Sequence, residues 1–217
     1  MLQQLKGYLQ KMDMKSKWKN HDMKDRVILS DCDGCLLDWE WAFNIWMQEH
    51  GFAEVPGSKL SYEMCVRYDI SKDQVTKLIR IFNESAAIGF LPALRDAIYY
   101  VKRLHEEHGY RFHCITSLSK DVNAQRLREM NLGKLFGPTV FERVVCLDTG
   151  ADKDQALAEY EGTGCVWIED KIENALVGHD IGLRSMLIEH GHNFKYEHPH
   201  IKLVKNWKEI YERITEE

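Results

Sequence analysis

Three aspartates stand close together in the stretch RVILSDCDGCLLDW, residues 26–39. Asp31 and Asp33 follow an apolar run at 27–29, and Asp38 comes shortly after them. Carboxylates this close repel one another, and burial at the end of a strand disfavours their charged form. So much negative charge therefore predicts a positively charged partner, or a substrate that the carboxylates attack.

Further polar groups stand at or shortly after the ends of other apolar runs. They are two hydroxyls, an amine and a second acidic pair: Thr116, Ser117, Lys153, Glu169 and Asp170. In a parallel sheet the carboxyl ends of the strands meet at one edge, where open α/β sheets bind their ligands. We therefore expect these groups to converge with Asp31 and Asp33.

This combination of groups matches what phosphoryl transfer needs. A hard cation such as Mg²⁺ takes oxygen ligands and is bound by only a few protein carboxylates. The cation would screen the repulsion between the aspartates and let an anionic phosphate approach a carboxylate nucleophile. Thr116 and Ser117 could bond an oxyanion, or they could cap a helix N-terminus, which is a common use of both residue types.

The elements that must position these groups alternate along the chain. Strands are predicted over 27–30, 112–116, 143–147, 165–169 and 185–188. Helices are predicted over 94–107, 121–130, 153–160 and 172–181, with a closing helix in NWKEIYERI. Strands separated by helices indicate βαβ units and an α/β fold with a parallel sheet.

One region, residues 39–88, breaks this alternation. It contains only helical patterns, such as WEWAFNIWMQEHG and SKDQVTKLIRIFNE. A structureless loop of that length would be unusual in a compact domain. We therefore predict a small helical cap, inserted after the first strand and covering the carboxyl edge of the sheet.

Composition narrows the range of functions. The chain has 217 residues, a net charge of −5, 44% hydrophobic and 29% charged residues, as expected of a globular protein that is not a dedicated nucleic-acid binder. No apolar run approaches the length that spans a bilayer. Six cysteines, several of them inside apolar runs, indicate reduced thiols and a cytoplasmic protein. Cys32 and Cys35 form a C-x-x-C motif, for which redox or zinc chemistry is the alternative.

The N-terminal segment, residues 1–25, carries apolar residues at helical spacing among several lysines. This pattern predicts an amphipathic helix on the flank of the domain. A helix that binds a membrane surface or a partner is the alternative.

The motif DCDGCLLD resembles the D-x-D-G-x-x-x-D signature of the haloacid dehalogenase superfamily. Thr116, Lys153 and the segment IEDKIEN match that superfamily's second, third and fourth motifs, so the resemblance covers residues 27–193. It implies a Rossmann-like three-layer core with a mainly parallel sheet, formed by residues 26–38 and 89–217, and a small helical cap at 39–88.

The resemblance also implies a role for each motif residue. Asp31 would be the nucleophile that forms an aspartyl-phosphate, and Asp33 would protonate the leaving oxygen and then activate water. Thr116 would bond the transferred phosphoryl group, and Lys153 would offset its charge. Asp31, the carbonyl of Asp33 and Asp170 would ligate Mg²⁺.

Two positions depart from the superfamily's pattern. Glu169 stands where the nucleotidases of this superfamily commonly have an aspartate, so direct ligation of the metal by its longer side chain is not expected. Asn174 replaces an acidic residue. Both residues are therefore expected to act through water or to orient the ligands.

A narrower resemblance is to the 5'(3')-deoxyribonucleotidases, which have a short helical cap and an aromatic residue after the first motif. Trp39 and the segment IGFLPALRDA carry it. It implies that Trp39, Tyr68 and Phe90 could sandwich a base. For Trp39, ordinary packing with Phe43 and Trp46 on one helix face is the alternative.

Two H-x-H pairs, His190/His192 and His198/His200, lie in a late loop. A transition-metal site is conceivable there, but exposed loop histidines are the simpler interpretation. By resemblance, His192 and Asn193 border the active site.

The resulting functional hypothesis is a Mg²⁺-dependent phosphomonoesterase for a small phosphorylated substrate, most simply a nucleoside 5'-monophosphatase with deoxyribonucleotide preference. Another small-molecule phosphatase, acting on a sugar phosphate for example, is the first alternative. A polynucleotide 3'-phosphatase and a non-catalytic binding module are the others. No nucleic-acid or membrane partner is expected, and a homodimer is left open.

Overall fold

Six parallel strands form the central sheet of this computed structural model, which describes residues 26–216; the predicted N-terminal helical segment at 1–25 lies outside the described residues. The strands are β1 Val27–Ser30, β2 Arg111–Ser117, β3 Phe141–Leu147, β4 Val166–Glu169, β5 Arg184–Ile188 and β6 Lys202–Val204. Their order across the sheet is β3-β2-β1-β4-β5-β6. The strand that precedes the first acidic motif is therefore central.

Side chains on the two faces of the sheet enter different apolar clusters. On β1, Ile28 belongs to the larger cluster and Leu29 to a smaller one, as period-two alternation requires. On β4, Trp167 joins Leu29, whereas Ile168 joins Ile28. Helices cover both faces, which confirms the predicted Rossmann-like, three-layer α/β fold.

Eight α-helices occur in the described part of the chain. They are α1 Trp39–Glu49, α2 Met64–Tyr68, α3 Lys72–Asn83, α4 Ala97–His108, α5 Val122–Phe136, α6 Asp154–Leu157, α7 Ile172–Asp180 and α8 Trp207–Thr215. Short 3-10 helices occupy Ser58–Leu60, Ala86–Phe90 and Ala158–Tyr160. None of the described helices is long and apolar enough to cross a membrane.

Some element boundaries differ from the prediction. The strand β6 was not predicted, because three residues, KLV, are too few to show a periodic pattern. The helix expected from residue 94 begins at Ala97, since Arg95 adopts a left-handed backbone conformation with a φ of 44°. The helix expected over 153–160 is split between α6 and a 3-10 turn.

The segment between β1 and β2 holds the predicted cap helices α1 to α3. Two segments connect these helices to the sheet, and they are hydrogen-bonded to each other. The Asp38 N–H donates to the Pro92 carbonyl, and the Leu94 N–H donates to the Leu36 carbonyl, both at 2.9 Å. Leu37 and Ala93 form an antiparallel bridge between these bonds. We refer to residues 36–38 and 92–94 as the paired linkers.

Candidate active site

The first acidic residue extends the central strand. The Asp31 N–H donates to the Ile168 carbonyl of β4 at 2.8 Å, so the backbone of Asp31 is held at the carboxyl edge of the sheet. Lys153, at the start of α6, places its Nζ 2.7 Å from Asp31 Oδ1 and 3.2 Å from Glu169 Oε1. Lys153 is 2% exposed, so these two carboxylates hold a desolvated ammonium. The pKa of Lys153 is raised although burial opposes its charge, because Asp31 and Glu169 favour the protonated form.

A group of potential metal ligands surrounds this ion pair. Asp31, Cys35, Glu169 and Asp170 each offer one ligand atom, and these atoms lie within 4.8 Å of one another. Within residues 26–216 this is the one group of three or more such side chains, and none of the four H-x-H histidines belongs to it. Three of the four donors are carboxylates, as a hard cation such as Mg²⁺ requires; the Cys35 thiol is too soft to be a preferred ligand of that ion.

Gly34 lets the two acidic loops approach each other. Its φ is 77°, and a Cβ at this position would lie 2.4 Å from Asp170 Oδ2. Only a glycine therefore fits between the first motif and the Asp170 carboxylate. The fit of these residues to a small cation depends on this close approach.

Glu169 is held by protein donors on both oxygens. Its Oε1 accepts from Asn174 Nδ2 and from Lys153 Nζ, and its Oε2 accepts from the Asp170 N–H at 3.1 Å. Asn174 in turn lies on α7, and its carbonyl accepts from the Trp167 indole at 3.0 Å. Glu169 is thereby fixed in orientation; the role expected of Glu169 and Asn174 in orienting the metal ligands stays a prediction.

The two neighbouring acids both favour their protonated forms. Burial, followed by the charge of Asp31, raises the pKa of Glu169 to about 8, against the opposing effect of Lys153. Burial and the charges of Glu169 and Asp31 hold the pKa of Asp170 well above its usual value. A cation between them would reverse this preference, because it stabilises the carboxylate forms.

The two hydroxyls at the end of β2 have different environments. The Thr116 hydroxyl is buried and has no hydrogen-bond partner among the described residues. Ser117 Oγ donates to the Ala151 carbonyl at 2.7 Å, in the loop that leads to Lys153. Thr116 is therefore available to a ligand, whereas Ser117 already supports the lysine loop.

Asp33 is paired with an arginine that the sequence prediction missed. Arg128 of α5 donates from Nη1 to Oδ1 at 2.5 Å and from Nη2 to Oδ2 at 2.9 Å. Burial raises the pKa of Asp33, and the Arg128 charge opposes that rise. A sequence signal did exist: Ala124, Arg128 and Leu132 follow one another at i, i+4 and i+8, which places an arginine on the buried face of a helix.

The loop that contains His190 and His192 forms hydrogen bonds with the backbone of both acidic motifs. His190 Nε2 lies 2.7 Å from the Gly34 carbonyl, and His192 Nε2 lies 3.0 Å from the Asp170 carbonyl. Asn193 Nδ2 also donates to the Asp170 carbonyl, at 2.8 Å. The structure thus places His192 and Asn193 at the border of the site.

The cap contributes one aromatic residue to this border that was not predicted. The rings of Tyr62 and His192 meet edge to face, with their centroids 5.0 Å apart. Although 49% of Tyr62 is exposed, partial desolvation raises the pKa of its phenol, and the Asp170 charge adds to the rise. Tyr62 therefore lies close enough to the acidic group to feel its charge, but no periodic signal singled it out in the sequence.

The three aromatic residues expected to sandwich a base lie in different environments. Trp39 stacks on Phe43 with centroids 4.6 Å apart, and its indole donates to Asn83. Tyr68 is 5% exposed within the cap. Phe90 is 66% exposed and its ring lies 5.5 Å from Lys134 Nζ. Their stacking role stays a prediction.

Comparison with known sequences identifies a distant relative of the chain. No family model matches the chain. The chain is 27% identical over 135 residues to an uncharacterised 32.4 kDa protein from the gp30–rIII intergenic region of Enterobacteria phage T4. That match covers 59% of this chain and 47% of the phage protein, so the chain spans about half the length of this curated relative.

Solved structures resemble the chain over most of its length. A haloacid dehalogenase-like hydrolase from Streptococcus pneumoniae is 18% identical with a TM-score of 0.59, covering 89% of this chain and 100% of its own. A D,D-heptose 1.7-bisphosphate phosphatase from B. bronchiseptica, complexed with magnesium and phosphate, is 11% identical with a TM-score of 0.56, covering 88% and 98%. At these identities the similarity shows the fold, which is that of the haloacid dehalogenase core.

Proposed function

We propose that this protein is a Mg²⁺-dependent phosphomonoesterase that works through a phosphorylated Asp31. The observation that carries the proposal is the ion pair of 2.7 Å between Asp31 and the buried Lys153, beside a second acidic pair, at the carboxyl edge of the sheet. A carboxylate held next to a fixed ammonium is suited to attack an anionic phosphate, because the ammonium offsets the charge that both carry.

Each reaction step can be assigned to named side chains. In the first step an Asp31 oxygen bonds to phosphorus, the bond to the leaving oxygen breaks, and Asp33 gives that oxygen a proton. In the second step water attacks phosphorus, Asp33 takes the water's proton, and the bond to Asp31 breaks. Lys153 and the Thr116 hydroxyl hold the transferred phosphoryl group in both steps.

The metal would be held by Asp31, Asp170 and the carbonyl of Asp33. When bound, Mg²⁺ supplies positive charge that neutralises the phosphate and the carboxylates. Glu169 keeps its two oxygens on protein donors and orients the neighbouring ligand. Gly34 keeps the two ligand loops within reach of one ion.

For the substrate, we infer a small monophosphate, because cap residues pack on the sheet's loops from two sides. Asn83 Nδ2 donates to the Leu118 carbonyl at 3.0 Å on one side, and Tyr62 meets His192 on the other. A nucleoside 5'-monophosphate with deoxyribose preference is the first candidate, supported by the resemblance to the deoxyribonucleotidases and by the aromatic cap.

A sugar phosphate is the second candidate, and the packing of the cap favours it. The rings of Trp39 and Tyr68 are engaged with other cap side chains, whereas the groups at the border of the acidic site, Tyr62 and His192, are polar. Each of the two side chains carries a group that can hydrogen-bond a sugar hydroxyl. The heptose bisphosphate phosphatase similar to this chain in fold is consistent with this candidate.

The test is phosphate release from a panel of ribo- and deoxyribonucleoside 5'- and 3'-monophosphates and common sugar phosphates, with Mg²⁺ and with a chelator. Chelator-sensitive turnover concentrated on deoxyribonucleotides would support the first candidate, and turnover of sugar phosphates alone would support the second. Turnover of any ester that persists in Asp31→Asn, with deamidation excluded by mass spectrometry, would contradict the proposed nucleophile.

A further inference from the structure

We propose that Arg128 is the positioning residue of the reaction, fixing the plane of the Asp33 carboxylate for proton transfer. The inference rests on the proposed function, since it assigns to Asp33 the exchange of protons with the leaving oxygen and with water. It is carried by the geometry of a fully buried guanidinium that binds both oxygens of this one side chain.

Burying the charged guanidinium of Arg128 is energetically unfavourable. Arg128 is 0% exposed, in the middle of α5, and its Nη1 lies 2.9 Å from the buried Cys32 Sγ as well as 2.5 Å from Asp33 Oδ1. Removing such a charge from water is strongly unfavourable unless a well-aligned partner compensates it, and apolar residues of similar volume are often as stable. Core packing alone therefore does not explain an arginine here.

In the Arg128–Asp33 ion pair, only the Asp33 side chain is accessible to solvent. The Asp33 side chain keeps 22% of its surface exposed, whereas the Arg128 side chain keeps none. The guanidinium holds the carboxylate from behind with two parallel N–H bonds, which fix its plane as one bond could not. The outward lone pairs of the same oxygens remain available to a substrate or to water.

This geometry gives Arg128 a specific effect on the first step. Proton delivery needs the donor oxygen within hydrogen-bond reach of the leaving oxygen, and positioned acid catalysis contributes roughly 10²- to 10⁴-fold to the rate. A lysine at position 128 would supply charge but not the planar fork. The contribution should therefore depend on how much the leaving group needs a proton.

The experiment compares two esters of similar shape, phenyl phosphate and p-nitrophenyl phosphate, in Arg128→Lys and Arg128→Met. We measure kcat/KM, which covers the steps up to transfer to Asp31. Phenolate is a poorer leaving group than nitrophenolate and needs the proton more. We expect kcat/KM for phenyl phosphate to fall about tenfold further than that for p-nitrophenyl phosphate, with Asp33→Asn showing the same bias.

A matched control separates positioning from stability. Asn131→Ala removes a buried side chain one turn further along α5, whose Nδ2 donates to the Leu91 carbonyl at 3.0 Å and does not contact Asp33. This variant should lower kcat/KM for both esters equally, if at all. Urea denaturation of each variant identifies the conditions in which it is folded.

The outcomes distinguish the inference from the function on which it rests. Equal losses on both esters in the two Arg128 variants would overturn the positioning role and leave the phosphomonoesterase intact. A wild-type protein that hydrolyses neither ester nor any member of the substrate panel would overturn the proposed function itself. A selective loss on phenyl phosphate, absent from Asn131→Ala, would support both.

Discussion

Gly34→Ala tests the close approach of the two acidic loops. At a φ of 77°, a residue with a Cβ pays roughly 1–2 kcal/mol for the left-handed conformation. The added Cβ would also lie 2.4 Å from Asp170 Oδ2, where ordinary contacts begin at 3.4 Å. Asp170 must then rotate about 1 Å away, and leaving its rotamer costs about 0.5–1.5 kcal/mol more.

Gly164→Ala is the matched control for this variant. Gly164 also has a positive φ, 67°, but nothing lies within 4 Å of a Cβ built there. Both substitutions reduce the entropy of the unfolded chain alike, so that contribution cancels in the comparison. Urea denaturation should therefore show Gly34→Ala less stable than Gly164→Ala by about 1 kcal/mol.

The larger difference should appear in metal binding. Displacing Asp170 disturbs a carboxylate that we assign to the metal, and disturbing the groups that orient metal ligands typically costs roughly 10- to 100-fold in affinity. Calorimetric titration with Mg²⁺ should show this loss in Gly34→Ala and wild-type affinity in Gly164→Ala. Equal stability and equal Mg²⁺ affinity in the two variants would refute the reasoning from close approach.

Three further predictions concern the charged groups around Asp31. Asp31→Asn should abolish phosphate release while keeping the circular dichroism spectrum of the wild type; release above background, without deamidation, would contradict it. Lys153→Met should destabilise the fold by about 3–5 kcal/mol at pH 8, because Asp31 and Glu169 lose their buried counter-ion; a shift below about 1 kcal/mol in urea denaturation would show that the pair is dispensable. Burial raises the pKa of Glu169 to about 8, and a cation on the neighbouring Asp170 would favour the ionised form of Glu169, so protonation of Glu169 opposes cation binding. The calorimetric Mg²⁺ affinity should therefore fall as the pH drops from 8 to 6, by at most about tenfold per unit, and a flat profile would exclude this linkage.

The sheet and its acidic edge were predictable because their signals are local. The apolar run before Asp31 and the apolar run before Glu169 mark buried parallel strands, and a strand's last residues necessarily lie at the carboxyl edge. The strand β6 was not predictable in this way, since it is defined by its pairing with β5 and not by its own pattern. The start of α4 was likewise not predictable, because Arg95 adopts a left-handed backbone conformation that is uncommon for an arginine.

The juxtaposition of the motif residues was predictable from the sequence, whereas contacts that depend on tertiary packing were missed. Asp31, Lys153 and Asp170 come together as expected from strand ends that converge. Arg128 reaches Asp33 from a helix 95 residues further along the chain, so only the tertiary structure pairs them. Tyr62 comes from a cap loop that lies close to Gly191, where an added Cβ would be 3.0 Å from Leu60 Cδ2.

The paired linkers fix where the chain enters and leaves the cap helices. Two independent tethers would let the cap helices twist and slide, but these two are joined by backbone hydrogen bonds on either side of the Leu37–Ala93 bridge. Sliding of one linker past the other would break these bonds, so the residues that enter and leave the cap helices are held in register with each other. A chimaera that exchanges residues 36–94 would carry both linkers along with the helices, so the exchanged segment would bring its own register.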